Sequence, residues 1–168
     1  MNTEEYLDLV DESDNVIGSE KRTEIYKQKL HNYRVINAFI VSNEGKLWIP
    51  RRTAHKAISP LALDFSVGGH VVSGDTYENT FKKETSEELN IDIDRVSWKE
   101  LGHFKAGDFG LNCFMKVYEI KQNDVPVFNP DDFTEYYWLS PEEVIDRIEN
   151  GDKSKGDLPI LIKQLYLK

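Results

Sequence analysis

The stretch that most constrains this chain is residues 68–91, GGHVVSGDTYENTFKKETSEELNI. Asp75 or Thr76 can cap a helix that runs to about Leu89, because these side chains accept hydrogen bonds from the first free amides of a helix. Asn90 then stands where a left-handed residue ends such a helix, a position at which asparagine is tolerated after glycine. The sequence therefore predicts one helix that starts just after a glycine-rich segment.

Three glutamates, Glu84, Glu87 and Glu88, share one face of this predicted helix near its C-terminal end. Like charges at these spacings cost about 0.2–0.5 kcal/mol per pair, and the helix dipole disfavours anions in the last turn. A divalent cation removes this penalty, since carboxylate oxygens on one rigid face suit Mg²⁺ or Mn²⁺. These side chains are therefore candidate metal ligands, and a free carbonyl in the neighbouring Gly68-Gly69 pair is a candidate for one more. The alternative is a solvated acidic face.

Segments with the pattern of β-strands precede and follow this helix. Strands are predicted at residues 6–10, 16–19, 34–42, 46–51, 63–67, 96–104, 111–120 and 133–139. Further helices are predicted at 23–30, 140–150 and 158–167, the second of them from its cap signal, SPEE. Strands interleaved with few helices predict an α/β (α+β) fold in which a mixed sheet lies between helical layers. Residues 1–30 are expected to extend this fold as a hairpin and a short helix.

Length and charge limit the classes of function. A chain of 168 residues is expected to form a single domain spanning 1–168. Its net charge of −9 repels long polyanions, which argues against a nucleic-acid polymer as partner but allows a small phosphorylated ligand. Cys113 is the only cysteine, and no apolar run approaches the roughly 20 residues of a membrane span. The acidic start does not have the pattern of a signal peptide, so we expect a soluble, cytoplasmic protein.

Residues 69–91 resemble the signature box of the Nudix hydrolases, G-x5-E-x7-R-E-U-x-E-E-x-G-U, in which U is aliphatic. The matching positions are Gly69, Glu84, Glu87, Glu88 and Ile91. The departures are Asp75 for glutamate, Lys83 for arginine, Thr85 for the aliphatic residue and Asn90 for glycine. Asp75 and Lys83 keep an acid and a base at their positions, although lysine lacks the bidentate fork of arginine. The resemblance implies that these two residues orient the helix.

The same resemblance implies a Nudix-type α/β/α sandwich and a metal-dependent hydrolase. Such an enzyme cleaves the pyrophosphate bond of a nucleoside diphosphate derivative or a related small diphosphate. Its implied ligands for Mg²⁺ or Mn²⁺ are Glu84, Glu87, Glu88 and Gly68, and the three glutamates are also the implied catalytic residues. Glu84 is the first choice for the base that activates water, and Glu135 or the pair 131–132 are alternatives from a later loop. Dimers are frequent in the family, which leaves a homodimer open.

Residues 51–56, RRTAHK, form a basic segment after the fourth predicted strand. Cations this close together in an acidic protein suit the phosphates of a substrate. The predicted substrate-binding residues are therefore Arg51, Arg52 and Lys56, and the alternative is a solvated turn. The aromatic residues Trp48, Phe109 and Phe114 have the chemistry to stack on a base, but their strand spacing favours a packing role.

Segments 9–22 and 51–70 resemble the branch of the superfamily that contains type 1 isopentenyl-diphosphate isomerases and isomerase-like Nudix hydrolases. The isomerases carry a cysteine where this chain has Gly68, and glycine has no side chain to move a proton at an allylic carbon. Cys113 is expected to lie far away in a strand, and His31 does not match the register of the family's upstream metal-binding histidines. The hydrolase is therefore favoured. The alternatives are a non-catalytic Nudix domain that senses a nucleotide or sugar phosphate, and an isomerase.

Overall fold

The computed structural model describes residues 4–168, so residues 1–3 of the predicted N-terminal extension lie outside the described part. Within 4–168 the chain forms eight strands and four helices, together with two short 3-10 turns. In chain order these are β1 (Tyr6–Val10), β2 (Val16–Lys21), α1 (Arg22–Lys27), β3 (Arg34–Val41), β4 (Leu47–Arg52), β5 (Val67–His70), α2 (Tyr77–Leu89), β6 (Trp98–Phe104), β7 (Phe114–Lys121), β8 (Phe133–Leu139), α3 (Pro141–Glu149) and α4 (Asp157–Tyr166). None of these helices in residues 4–168 has the length and apolar character needed to cross a membrane.

The large sheet is mixed, as predicted. Its strand order is β6-β7-β3-β4-β8, and β5 pairs with β3. Strands β3 and β7 run parallel, from Arg34 opposite Phe114 to Val41 opposite Lys121. The other neighbouring strands are antiparallel. One parallel pair at the centre therefore makes the sheet mixed.

Alternate residues of β3 face opposite helical layers. Ile36, Ala38 and Ile40 are buried in one cluster with Phe81 of α2. Phe39, the residue between two of them, is buried in a second cluster with the apolar faces of α3 and α4. Because successive side chains of a strand point to opposite faces, α2 covers one face of the sheet and α3 and α4 cover the other. The predicted α/β/α sandwich is confirmed.

The position of one strand differs from the prediction. The predicted strand 63–67 is displaced, because the observed β5 runs through Gly68 and Gly69 and pairs them with β3. Strand β4 meets β3 only where Val41 lies opposite Leu47, and along its length it pairs with β8 instead. Glycine has low intrinsic preference for strands, but packing within the sheet overrides that preference. The glycines therefore belong to the sheet and not to a turn.

The predicted N-terminal hairpin is formed by β1 and β2, and α1 follows it directly. Asp14 in the hairpin turn has a left-handed backbone, with φ of 63°. Its carboxylate accepts hydrogen bonds from Arg34 Nε at 2.7 Å and from the Tyr77 hydroxyl at 2.6 Å. It also lies 2.6 Å from His103 Nε2. These contacts attach the hairpin to β3, to the start of α2 and to β6.

Candidate active site

An open cleft of about 1000 Å³ is bounded by α2, β5 and the loop that follows β4. All four predicted metal ligands line it, namely Glu84, Glu87, Glu88 and Gly68. Two of the three predicted phosphate-binding residues, Arg52 and Lys56, line it as well. The fold therefore brings the acidic helix face and part of the basic segment to one place.

Helix α2 holds the glutamates on a support that is fixed at both ends. The Thr76 hydroxyl caps its start by accepting a hydrogen bond from the Asn79 amide at 3.1 Å. Asn90 ends it in the predicted left-handed conformation, with φ of 54° and ψ of 35°. Between these caps, the buried ring of Phe81 stacks on Tyr118 with centroids 4.1 Å apart. Caps and core packing together set the direction of the acidic face.

The paired glycines allow β5 to approach that face closely. A Cβ added at Gly69 would lie only 2.6 Å from Cγ and Cδ of Glu84, so a side chain there would displace the glutamate. The neighbouring Gly68 amide donates a hydrogen bond to Glu88 Oε1 at 3.2 Å. One glycine thus makes room for a carboxylate and the other binds one. The close backbone approach expected from the sequence is present.

Burial raises the pKa values of two carboxyl groups in the cleft. The pKa of Glu84 rises to about 7, chiefly because burial disfavours its charged form and further because Glu87 is near. Glu88 is only 9% exposed, and burial raises its pKa well above the ordinary value despite the hydrogen bond from Gly68. All salt bridges found among residues 4–168 involve other carboxylates. Within that range, the acidic face therefore has no lysine or arginine as an ion-pair partner.

Arg52 and Lys56 bring positive charge to the cleft. Arg52 Nη1 donates to Asp64 Oδ2 at 2.7 Å, and Lys56 Nζ donates to Asp132 Oδ1 at 2.7 Å. A guanidinium carries five N–H donors and an ammonium three. Each side chain is therefore held in place by its carboxylate and keeps further N–H donors.

Arg51 has a different role from the one predicted. It does not line the cleft. Its Nη1 and Nη2 atoms donate to the two carboxylate oxygens of Asp152 at 2.9 and 3.1 Å, and its Nε donates to Glu135 at 2.7 Å. These bonds, together with one from Nη2 to the Tyr137 hydroxyl at 3.3 Å, raise the pKa of Arg51 above its ordinary value. The prediction of a phosphate-binding Arg51 is corrected accordingly: it links β4 to β8 and to the segment after α3.

Asp75 and Lys83, which the resemblance implies orient the helix, form no salt bridge with each other in the described part of the chain. Asp75 instead accepts a hydrogen bond from the Thr76 amide at 2.8 Å, and its second oxygen lies 3.5 Å from the Thr80 hydroxyl. Lys83 is near enough to Glu84 for its charge to favour the ionised carboxylate. Asp75 therefore contacts the first turn of α2, while Lys83 acts on the acidic face through its charge.

The alternative candidates for the general base differ in whether they line the cleft. Asp132 lines the cleft, whereas Asp131 and Glu135 do not. Asp132 is engaged by Lys56, and Glu135 accepts hydrogen bonds from Arg51 and from the Tyr137 hydroxyl. Glu84 stays the predicted base because it lies on the acidic face itself.

Residues 31–159 match the model of the NUDIX domain. A protein of Nostoc sp. that is named an uncharacterised Nudix hydrolase is 50% identical over 162 residues, which cover 96% of each chain. This chain belongs to the Nudix hydrolase family. A Nudix hydrolase of Deinococcus radiodurans is 45% identical over 164 residues, covering 98% of this chain and 95% of that one.

Solved structures support the Nudix fold. A crystal structure of a Deinococcus radiodurans protein has a TM-score of 0.91 at 46% identity and covers 96% of this chain and 99% of that one. The MutT protein of Methanosarcina mazei has a TM-score of 0.61 at 16% identity, covering 79% of this chain and 91% of that one. The second likeness is one of fold alone.

The Nudix match begins at residue 31, so the hairpin and α1 precede the matched segment. Nevertheless, the extension supplies Glu5, Arg22 and Tyr26 to the wall of the cleft. Lys155, between α3 and α4, lines it too. No motif in the sequence indicates these residues, because their position depends on contacts between distant segments. The only local sign of a cleft residue in this segment is Arg22, a basic residue next to the predicted helix 23–30, and this sign is weak.

Cys113 also lines the cleft, so the expectation that it lies far away is wrong. It directly precedes β7, and both β7 and β5 pair with β3, which brings the start of β7 near the glycines. Burial raises the pKa of Cys113 to about 12. A thiol with that pKa stays protonated at neutral pH and is a poor nucleophile.

The donors of the Nudix cleft fit a hard divalent cation. Among residues 4–168 no three acidic, histidine or cysteine side chains are grouped closely enough to hold a metal ion by themselves. Mg²⁺ does not need such a cage, since it commonly takes one or two carboxylates, several waters and substrate phosphates. Glu88 is buried and Glu84 is half-buried, and neither carboxylate has a salt-bridge partner in the described residues. That chemistry suits a cation which completes its shell with substrate.

Proposed function

We propose that this Nudix protein is a Mg²⁺- or Mn²⁺-dependent hydrolase that cleaves the pyrophosphate bond of a small nucleoside diphosphate derivative or a related diphosphate. The observation that carries the proposal is that the half-buried carboxylate of Glu84 and the buried carboxylate of Glu88 line the same cleft as Arg52 and Lys56. Buried carboxylates favour a cation, and the cationic side chains favour phosphate oxygens. The cleft therefore suits a diphosphate together with a metal ion.

The roles of the residues follow from their positions. Glu84, Glu87, Glu88 and the Gly68 carbonyl would hold the cation, whose contribution when bound is Lewis-acid polarisation of the phosphoryl oxygens. Arg52 and Lys56 bind phosphate oxygens through the donors that Asp64 and Asp132 leave available. Glu84 accepts the proton of the water that attacks one phosphorus, while the other phosphate leaves. Gly69 leaves the space in which Glu84 lies.

The test is an assay of nucleoside diphosphate derivatives with and without Mg²⁺, following release of phosphate or nucleoside monophosphate. We expect metal-dependent hydrolysis of at least one compound. Glu87→Gln is expected to lower kcat by about 100-fold or more at limiting Mg²⁺. The reason is that the variant lacks one charged ligand of the cation that stabilises the transition state. Glu78→Gln is the matched control, since Glu78 lies in the first turn of α2 and outside the cleft.

Two outcomes would contradict the proposal in favour of the alternatives. A ligand that raises the Tm while no compound of the panel is hydrolysed would favour a non-catalytic sensor. Conversion of isopentenyl diphosphate to dimethylallyl diphosphate would favour the isomerase.

A further inference from the structure

Three aromatic side chains on the wall of the cleft have no part in the proposed hydrolysis. Tyr26, Tyr33 and His70 form this group, the aromatic wall. The rings of Tyr33 and His70 are stacked, with centroids 5.9 Å apart and planes 23° apart. Tyr26 meets both rings edge-on at 6.0 and 5.9 Å, and its hydroxyl lies 2.5 Å from His70 Nε2. These contacts hold the ring of Tyr26 in a defined place.

The aromatic wall begins beside the acidic face. Gly69 lies against Glu84, and the next residue of β5 is His70. Successive Cα atoms are about 3.8 Å apart, and successive residues of a strand face opposite sides. One short strand thus carries the contact to the acidic face and a member of the aromatic wall. His70 faces the side of β5 opposite to the contact with Glu84, but both groups line the cleft, so a ligand that fills the cleft contacts both.

The outer member of the aromatic wall is open to the cleft. Tyr26 is 40% exposed, and the guanidinium carbon of Arg22 lies 5.9 Å from its ring centroid. Both residues come from α1 and precede residue 31, where the Nudix match begins. An exposed aromatic ring beside a guanidinium group is a stacking surface for a planar π system.

A polar side chain with the chemistry to bind the edge of such a ring lines the same cleft. Asn112 is exposed and contributes to the lining. Its backbone carbonyl is engaged by His31 Nδ1 at 2.8 Å, which fixes the segment before β7. Its side-chain amide has both donors and an acceptor, the pair of functions found on the edges of nucleobases. Asn112 and the aromatic wall therefore line the same cleft.

We propose that the aromatic wall is the subsite for the planar ring of the substrate, a nucleobase that stacks on Tyr26 beside Arg22. This inference rests on the proposed function for the diphosphate that carries the ring. A nucleoside diphosphate derivative is the substrate class that the family resemblance already implies, and the new element is the place of its base on the aromatic wall. This subsite assigns the choice of substrate to the N-terminal extension.

The kinetic test compares UDP, CDP, ADP and GDP with methyl diphosphate, which has no ring. The readout is the selectivity ratio, kcat/KM for the preferred nucleoside diphosphate divided by kcat/KM for methyl diphosphate. Tyr26→Leu is expected to lower this ratio about 5- to 150-fold, the equivalent of about 1–3 kcal/mol of base stacking. Tyr26→Phe keeps the ring and should lose less. Tyr6→Leu is the matched control, since Tyr6 is an exposed tyrosine of the extension that does not line the cleft.

A measurement on the wild type makes the test independent of how the variants fold. Adenosine, guanosine, cytidine and uridine carry no phosphate, and we expect one of them to give NOE contacts between its base protons and the Tyr26 ring in metal-free protein. Such contacts without hydrolysis of any diphosphate would overturn the proposed function and retain the subsite. An unchanged selectivity ratio in Tyr26→Leu, or no contact from any nucleoside, would overturn the subsite while leaving metal-dependent hydrolysis intact.

Discussion

At the scale of single residues, the close approach of Gly69 to Glu84 leaves no room for a Cβ without a shift of the glutamate. A Cβ at position 69 would lie 2.6 Å from two carbons of Glu84, so alanine there displaces the glutamate side chain. Misplacing a reacting group by about 1 Å can lower a rate about 10²-fold. We therefore expect Gly69→Ala to lower kcat by about that factor, with a smaller effect on KM, in steady-state kinetics with the preferred diphosphate.

Gly18→Ala in β2 is the matched control, because a Cβ at Gly18 meets nothing within 4 Å. It should leave kcat at the wild-type value. Wild-type kcat in Gly69→Ala would show that the position of Glu84 does not matter for the reaction.

Single residues also show what a sequence can and cannot predict about this site. The shared face of Glu84, Glu87 and Glu88 follows from helical spacing alone, since positions three and four apart are neighbours. The role of Arg51 does not follow from any local pattern, because its partner Asp152 is 101 positions away. A cation binds substrate or stabilises the fold according to which carboxylates the folded chain brings near it.

At the scale of elements, the β1–β2 hairpin is attached to the rest of the fold through Asp14. Burial opposes ionisation of this carboxylate, but hydrogen bonds from Tyr77, Arg34 and His103 outweigh it and hold the pKa of Asp14 below its ordinary value. The stabilisation is therefore complete above the unfolded-state pKa of about 3.9 and is lost as pH falls through the folded-state pKa.

We expect Asp14→Asn to lower the free energy of unfolding by about 1–3 kcal/mol at pH 7, because it weakens charge-assisted hydrogen bonds. Asparagine tolerates the left-handed backbone of this turn, so the change tests the charge. The difference from wild type should shrink as urea denaturation is repeated toward pH 3. Asp94→Asn, at an exposed pair with Lys82, is the control. A difference that is the same at every pH would contradict the role of the Asp14 charge.

The sequence predicted best the helices whose ends carry clear capping residues. Ser140 caps the start of helix α3 and forms a capping box with Glu143, and the left-handed Asn90 caps the end of α2, both as expected. Strand β5 was displaced in the prediction because Gly68 and Gly69 carry no strand signal of their own. Their place in the sheet depends on pairing with β3 and on the contact with α2, which are properties of the tertiary structure.

At the scale of the whole molecule, charge is distributed unevenly. The chain has a net charge of −9, yet the cleft gathers the cationic side chains Arg22, Arg52, Lys56 and Lys155. A negative molecule with local cations suits a small phosphorylated ligand better than a long polyanion. The layered fold was predictable, because it follows from the alternating and helical patterns of apolar residues. The cluster of cations was not predictable, because it comes from three separate segments of the chain. The homodimer stays a prediction.

The central claim is that the acidic face of α2 binds a divalent cation. Its most direct test is a titration of Mn²⁺ into the wild type and into the Glu84→Gln/Glu88→Gln double variant, followed by the EPR signal of free Mn²⁺, with circular dichroism to confirm folding. We predict that the wild type binds Mn²⁺ at a site from which Mg²⁺ displaces it, and that the double variant binds at least about 10-fold more weakly, since it lacks two charged ligands. Equal binding by both proteins, or no binding by the wild type, would contradict the claim.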